Sequence, residues 1–168
     1  MMSQEPEYFI RPIVSDDKPF LWEMLYQALY VPEGNPPFPR EILNQPDIRR
    51  YVEIWGRPND LGFIALTQIT NQPIGAAWVR LLKGENRGYG YIDDHTPELT
   101  IAVDPMWRGR GIGTELLGSV IEAARAFCVY ISLSVSQDNP AIRLYQRMGF
   151  EALGGSGTSV TMRRRLCP

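Results

Sequence analysis

The chain of 168 residues is long enough for one domain with a sizeable core, and 17 lysines and arginines against 19 aspartates and glutamates give a formal net charge of −2. This near-balance argues against a protein that binds mainly to nucleic-acid phosphates, and a hydrophobic share of 44% excludes disorder over most of the length. Two cysteines cannot build a disulfide framework, no apolar run approaches the roughly 18 residues of a membrane helix, and the polar N-terminus lacks a signal-peptide pattern, so we expect a cytoplasmic protein.

The first third of the chain predicts one strand and two helices. Residues 8–14 form a strand-like run, and the short polar side chains of residues 15–17 can cap a helix over about residues 19–29. Four prolines follow within residues 31–40, and they predict a stiff loop because each proline fixes φ and lacks an N–H donor. A second helical stretch is predicted around residues 48–55.

The rest of the chain alternates between strands and helices. Residues 61–70 and 74–82 are strand-like and are separated by a short turn, which predicts an antiparallel hairpin. A glycine-rich polar loop over residues 83–95 precedes a short buried strand over residues 99–103. The remaining predicted elements are a helix over residues 112–127, a strand over 129–135, a helix over 139–148 and strands around 151–153 and 160–165. This order, βααβββαβαββ, predicts a mixed α/β domain rather than a barrel or a helical bundle.

The most informative segment is residues 104–114, DPMWRGRGIGT, between a strand and the longest helix. Closely spaced glycines before a helix let the backbone approach a ligand, and the free N–H groups of the helix favour a phosphate. No lysine follows these glycines as a P-loop requires, and five residues separate them from the strand, unlike a dinucleotide fingerprint. A pattern of Gln or Arg, two residues, Gly, one residue and Gly or Ala does fit, over Arg108 to Gly113. On its own this match is weak, and a glycine-rich turn that merely enters a helix is the alternative.

A second motif, NPAIRLYQRMGF over residues 139–150, adds to the first. Together with the order of elements around both, it resembles the GCN5-related N-acetyltransferase (GNAT) superfamily, which moves acetyl groups from acetyl-coenzyme A to amines. The resemblance spans about residues 9–165 in topology, and its specific motifs cover residues 99–150. It implies a single domain over residues 1–168, with a core over about 8–166. The expected fold is a central mixed, mostly antiparallel, twisted sheet of about six or seven strands flanked by about four helices.

The resemblance also implies acetyl-coenzyme A as the cosubstrate, with its pyrophosphate on the glycine-rich loop and its pantetheine arm beside the preceding strand. No metal is expected, since three adjacent polar residues in a glycine-rich loop, Asp93, Asp94 and His95, seldom converge on one ion. The residues that this predicts for coenzyme binding are Ile101, Ala102, Val103, Arg108, Gly109, Arg110, Gly111, Ile112, Gly113, Thr114 and Asn139.

Tyr145 occupies the position of the tyrosine that lies next to the coenzyme's sulfur in the family. The resemblance implies that it donates a proton to the leaving thiol, whose pKa is near ~8.5 by analogy with cysteine. The alternative is an aromatic side chain that only packs in the core.

Glu98 is the candidate for the base that takes a proton from the amine. In many relatives a glutamate on the strand before the loop has this role, acting through water. Here Pro97 occupies the corresponding position, Glu98 is one residue further, and a shift by one residue turns a strand side chain to the other face. A positioning or surface role is therefore the alternative for Glu98.

The acceptor site is expected between the loop after the first helix and the glycine-rich loop of residues 83–95. Aromatic rings beside carboxylates suit a cationic amine, although acidic loops are also common as solvated surface. The predicted acceptor-binding residues are Tyr30, Phe38, Tyr89, Asp93 and Asp94.

The function predicted from these observations is direct transfer of an acetyl group, within a ternary complex, to a small cationic amine or a peptide amine. A non-catalytic acyl-coenzyme A sensor is the alternative, and a dinucleotide oxidoreductase, for which Asp138 is the one supporting residue, is a third. No nucleic-acid or membrane partner is expected, and a homodimer is left open.

Overall fold

A computed structural model describes residues 7–166, with residue 156 described for its backbone only. Residues 1–6, Cys167 and Pro168 lie outside the described residues. The elements are β1 (Tyr8–Pro12), α1 (Lys18–Ala28), α2 (Pro46–Arg49), β2 (Leu61–Thr67), β3 (Pro73–Arg80), β4 (Glu98–Val103), α3 (Ile112–Ala124), β5 (Tyr130–Ser136), α4 (Ile142–Arg147), β6 (Glu151–Ser156) and β7 (Ser159–Arg165). The predicted order of strands and helices is confirmed. None of the helices within residues 7–166 is both long and apolar enough to cross a bilayer.

All seven strands belong to one sheet, in the order β1-β2-β3-β4-β5-β7-β6. Every neighbouring pair is antiparallel except β4 and β5, which are parallel. These two strands pair only at Glu98 and Ser132, where the Ser132 N–H also donates to the Pro97 carbonyl at 3.0 Å. Beyond this point they separate toward Val103 and Ser136, so the sheet opens into a cleft between β4 and β5.

Hydrophobic side chains cover both faces of the sheet. On one face, Leu116, Leu117 and Val120 of α3 are completely buried, as the 3.6-residue spacing predicts. The opposite face, which carries Trp78, packs against α1 and α2. Side chains alternate along β4, so Leu99, Ile101 and Val103 lie toward α3 while Glu98, Thr100 and Ala102 lie toward α1 and α2.

The predicted helix over residues 48–55 is shorter in the structure, because α2 ends at Arg49 and turns follow. Arg80 on β3 causes the difference: its guanidinium donates to the carbonyls of Arg50 (3.0 Å) and Glu53 (2.6 Å), taking the place of helical hydrogen bonds. Arg80 also forms an ion pair with Asp60 at 2.9 Å, and both side chains are almost fully buried. A tertiary contact that is distant in sequence therefore overrides the local helical pattern.

Candidate active site

A cavity of about 770 Å³ occupies the cleft between the separating strands. It is lined by β4, by the loop before α3 and by the start of α4, with the proline-rich loop after α1 on the opposite side. The predicted coenzyme-binding and acceptor-binding residues that the structure brings together here are Ile101, Ala102, Val103, Arg108, Gly113, Asn139, Tyr30 and Phe38, together with Tyr145.

The N-terminus of α3 carries free backbone donors and lies beside this cavity, which Gly113 lines. Gly111 caps the helix in a left-handed conformation (φ +84°), and Gly109 also has a positive φ (+78°), a conformation that favours glycine. The first backbone hydrogen bond of the helix runs from Glu115 N–H to the Gly111 carbonyl at 3.2 Å. Among the described residues, no backbone acceptor bonds the three N–H groups from Ile112 to Thr114, so they remain available to an anion.

Not every residue of the loop faces the cavity. Arg108 lines it and donates to the Val103 carbonyl at 3.2 Å, whereas Arg110 pairs with Glu7 at 2.8 Å and lies over the ring of Trp107. The Ile112 side chain is buried in the core beneath α3, so only its backbone can reach a ligand. Gly109, Gly111 and Thr114 lie at the surface and line neither cavity.

Tyr145 lies where the first cavity meets a second one of about 360 Å³. Its ring packs edge-to-face against Phe150, with centroids 5.9 Å apart, and it is 9% exposed. Burial raises the pKa of Tyr145 to about 12, which keeps the hydroxyl protonated throughout the neutral range. Tyr145 therefore packs on the core and also lines both cavities, and its role as a donor to the leaving thiol stays a prediction.

Glu98 lines the second cavity and is only 4% exposed, so the surface role offered as its alternative is wrong. Its Oε1 accepts hydrogen bonds from the Tyr51 hydroxyl (2.6 Å) and the Gly90 N–H (2.8 Å), while Oε2 is buried with no protein partner among the described residues. Burial raises the pKa of Glu98 to about 7, against the opposing effect of the two hydrogen bonds and of Arg50.

Tyr51 is a part of the site that the sequence analysis missed. Its hydroxyl accepts from the Tyr89 N–H at 2.8 Å while donating to Glu98, and its carbonyl accepts from the Trp78 indole at 3.0 Å. Because Tyr51 and Glu98 are 47 residues apart in the chain, no local pattern links them. Hydrogen bonds therefore hold Tyr51 at its hydroxyl and at its backbone carbonyl, and the hydroxyl in turn holds the carboxyl group of Glu98 in place.

The glycine-rich loop over residues 83–95 packs directly on Glu98. A Cβ atom on Gly88 would lie 1.9 Å from Glu98 Oε2 and 2.6 Å from the Tyr51 hydroxyl oxygen. A Cβ atom on Gly90 would lie 2.7 Å from the Leu133 carbonyl carbon. Gly88 and Gly90 are recognisable in the sequence as closely spaced glycines. In the structure they allow the loop to approach the carboxyl group closely.

Asp93 and Asp94, which the sequence predicted to bind the acceptor, line neither of these two cavities. Asp93 Oδ1 accepts from the His95 N–H (2.8 Å) and the Thr96 hydroxyl (2.9 Å), and the first of these bonds is the largest cause of its lowered pKa. Asp94 accepts from the Tyr91 hydroxyl at 2.6 Å. These carboxylates instead stabilise the turn, and no group of three potential metal ligands occurs within residues 7–166.

The other predicted acceptor residues do line the cavities. Tyr30 and Phe38 line both, and Tyr89 lines the second, with its hydroxyl donating to Asp47. The Tyr30 hydroxyl donates to the Asp138 carbonyl at 3.1 Å, and the Tyr26 hydroxyl donates to the Phe38 carbonyl at 2.6 Å. These two bonds anchor the proline-rich loop on either side of the cleft.

Comparison with known proteins places this geometry in context. The family model described as the acetyltransferase (GNAT) family matches residues 20–150. The L-amino acid N-acetyltransferase AaaT of Escherichia coli is 28% identical over 134 residues, which cover 74% of this chain and 81% of that protein. The N-alpha-acetyltransferase RimI of Mycobacterium tuberculosis is 42% identical over 55 residues, or 33% of this chain and 34% of that protein.

The extent of these matches varies. A relative from Mycobacterium leprae is matched over only 18% of its own length, so the chain spans less than two thirds of some curated relatives. Among solved structures, a phosphinothricin acetyltransferase from Sinorhizobium meliloti in complex with acetyl-coenzyme A superposes with a TM-score of 0.67 at 20% identity. That superposition covers 95% of this chain and 89% of the other, and it shows a shared fold.

Proposed function

The chain belongs to the acetyltransferase (GNAT) family, and we propose that it transfers the acetyl group of acetyl-coenzyme A directly to a primary amine. The observation that carries the proposal is that Glu98 and Tyr145 both line the second cavity, at the point where Tyr145 also lines the first. Both side chains are buried, and their pKa values of about 7 and about 12 suit proton acceptance and hydrogen-bond donation respectively.

The cleft suits the coenzyme that the family uses. Its long pantetheine arm requires little more than strand-edge hydrogen bonding, which the edge of β4 beyond Glu98 can supply. The free N–H groups at the start of α3 and the guanidinium of Arg108 suit its pyrophosphate. The relative from Sinorhizobium meliloti, which was solved with acetyl-coenzyme A, supports this use of the fold.

The chain's residues then account for the protons of the reaction. A primary ammonium has a pKa near ~10 and must lose a proton before its nitrogen can bond to the thioester carbon. Glu98, with a pKa of about 7, accepts that proton, directly or through a water, and the neutral nitrogen then bonds to the thioester carbon. As the C–S bond breaks, the second proton of the nitrogen passes to the departing coenzyme A thiolate, directly or through a water. The Tyr145 hydroxyl, with a pKa of about 12, is better suited to hydrogen-bond the leaving sulfur than to protonate it fully.

Direct transfer is favoured over a covalent acyl-enzyme. Among the described residues, no cysteine lines either cavity. Ser134 and Ser136 line the second cavity, but the chain's single histidine, His95, lines neither, so these hydroxyls lack the usual base. We therefore expect initial-rate kinetics in which both substrates must bind before either product leaves.

Release of coenzyme A in the presence of a panel of amines, with mass measurement of the acetylated product, tests the proposal. The Tyr145→Phe variant keeps the ring packing on Phe150 and is expected to lower kcat on the order of 10²-fold with little change in coenzyme affinity. A non-catalytic acyl-coenzyme A sensor predicts a different result: tight binding of acetyl-coenzyme A without amine-dependent thiol release. An unchanged kcat in Tyr145→Phe, with chemistry rate-limiting, would remove Tyr145 from the mechanism.

A further inference from the structure

The second cavity contains very little charge. Glu98 is its one carboxylate, and no lysine, arginine or histidine of the described chain lines it. At the wall formed by α1 and the segment up to α2, the lining is mostly apolar, with Leu25, Leu29, Phe38, Ile42 and Ile48, and its polar side chains, Tyr30 and Gln45, are uncharged. The opposite wall, from β5 and β7, adds only the hydroxyl groups of Ser134, Ser136 and Ser159 as polar side chains.

Charged side chains near the rim already have partners. Asp47 accepts a hydrogen bond from the Tyr89 hydroxyl, and the Arg50 guanidinium donates to the carbonyls of Pro46 and Arg87. Glu23 is paired with Arg40, and neither lines the second cavity. The partners of Asp47 and Arg50 are uncharged groups, so both side chains keep their charge, but neither lines the second cavity. A carboxylate or a second ammonium on the acceptor would therefore find no oppositely charged side chain on the cavity wall beyond Glu98, which the first ammonium already occupies, and this is costly in a buried site.

Size limits the acceptor further. The second cavity has a volume of about 360 Å³, near the lower end of the roughly 300–1,000 Å³ of small-molecule sites. Glu98 and Tyr145 both line it, so an amine that occupies it has its nitrogen near the reacting groups and the rest of its body against the apolar wall. The bond from Tyr30 to the Asp138 carbonyl spans the cleft beside it.

We propose that the acceptor is a small primary amine with one positive charge and an otherwise uncharged, largely apolar body. The ammonium lies beside Glu98, and the body fills the space between Leu29, Ile42 and Ile48. This inference rests on the proposed acetyl transfer and narrows its substrate class. The proposed acceptor differs from an amino acid or a polyamine because it carries no second charged group.

Matched amines test the proposal on the unaltered protein. 2-Phenylethylamine and L-phenylalanine share a ring and differ in a carboxylate, while 1-aminobutane and 1,4-diaminobutane differ in a second ammonium. In each pair we expect kcat/KM for the singly charged amine to be higher by about 100-fold or more, because the second charge would be buried without a partner. A preference for L-phenylalanine, for the diamine or for a short peptide with a free N-terminus would overturn the inference while leaving acetyl transfer intact. No thiol release with any amine would instead overturn the proposed function, and this inference with it.

A pair of variants tests the position of the apolar body. Ile42 lines only the second cavity and is half-buried, so Ile42→Ala should raise KM for 2-phenylethylamine several-fold and leave KM for acetyl-coenzyme A unchanged. Ile69→Ala is the matched control, because Ile69 is 95% exposed on the β2–β3 turn and should alter neither constant. Equal KM values for 2-phenylethylamine in the two variants would contradict this placement. The amine series on the unaltered chain provides the test even if Ile42→Ala is unstable.

Discussion

Glu98 shows how the environment of a residue changes its chemistry. A glutamate in water is ionised at neutral pH and too weak a base to take a proton from an ammonium effectively. Burial beneath Gly88 and Gly90 raises its pKa to about 7, while the Tyr51 hydroxyl and the Gly90 N–H limit the rise by binding the carboxylate. The result is a carboxyl group that is available as a base near neutral pH, beside a tyrosine that stays protonated.

The raised pKa of Glu98 predicts how kcat/KM depends on pH. We expect kcat/KM of the unaltered protein to fall as pH drops below about 7, because protonated Glu98 cannot accept the amine's proton. Glu98→Gln keeps an oxygen that can accept hydrogen bonds from Tyr51 and Gly90 but cannot accept the amine's proton. Its kcat/KM should therefore be lower by roughly 10²–10⁴-fold and should no longer fall as pH drops below 7. Steady-state pH profiles of both proteins measure the effect. A limb near 7 that persists in Glu98→Gln would assign the titration to another group.

The raised pKa of Glu98 also predicts how the free energy of unfolding depends on pH. Because the folded-state pKa of Glu98 is raised from 4.5 to about 7, the folded protein holds this proton over a range in which the unfolded chain has lost it. Its contribution to the free energy of unfolding is complete below about pH 4.5 and is lost as pH rises through 7. The loss amounts to about 3 kcal/mol.

Denaturant unfolding of the unaltered protein and of Glu98→Gln, at several pH values, isolates this contribution. The variant should gain stability relative to the unaltered protein as pH rises from 4.5 to 8, since its side chain never ionises. A difference in unfolding free energy that stays constant with pH would show that Glu98 ionises equally readily in both states.

At the scale of elements, the glycine-rich loop over residues 83–95 forms part of the site because two of its residues lack side chains. Gly88→Ala would bring a methyl group to 1.9 Å from Glu98 Oε2. The carboxyl end can move away, so the variant should fold, but the base is then displaced. We expect kcat to fall at least tenfold with KM for acetyl-coenzyme A unchanged, measured by thiol release.

Gly118→Ala on α3 is the matched control for that variant. A Cβ atom at this position meets nothing within 4 Å, and the helix should gain up to about 1 kcal/mol of stability. Its kcat should equal that of the unaltered protein. A folded Gly88→Ala protein that retains full turnover would show that the loop's approach to Glu98 has no part in the reaction.

Elements also differ in how far their sequence determines them. The spacing of apolar residues predicted α3, because its buried face is encoded within the helix itself. The same reasoning overextended α2, because the carbonyls after Arg49 bond to Arg80, which lies on another element. In the site, the glycines before α3 and the Tyr145 motif were recognisable since each is contiguous in the chain. Tyr51 was not, since its role depends on a contact with Glu98 that forms only in the folded sheet.

The whole molecule is organised around the separation of β4 and β5. These two parallel strands are paired at one end and separate at the other, which leaves the cleft in the sheet. Helix α3 lies on one face of the sheet, and α1 and α2 lie on the other. The family resemblance implied a mixed, mostly antiparallel sheet, but the sequence contained no direct sign of where the strands separate. A ligand that occupies the cleft contacts elements on both faces of the sheet, so its binding should stabilise the whole domain.

Thermal unfolding measures this coupling. At a concentration of 100 times its Kd, acetyl-coenzyme A should add about 2.7 kcal/mol to the free energy of unfolding, which raises Tm by about 5–10 °C in a domain of this size. Gly113→Val is expected to abolish the shift: a Cβ atom at this position would meet Leu144 at an ordinary 3.6 Å, and we expect the two further methyl groups to block the approach of the pyrophosphate to the start of α3. Each protein is compared with its own Tm without ligand. An equal shift with NADH would favour the dinucleotide alternative, and a full shift with acetyl-coenzyme A in Gly113→Val would move the coenzyme away from the start of α3.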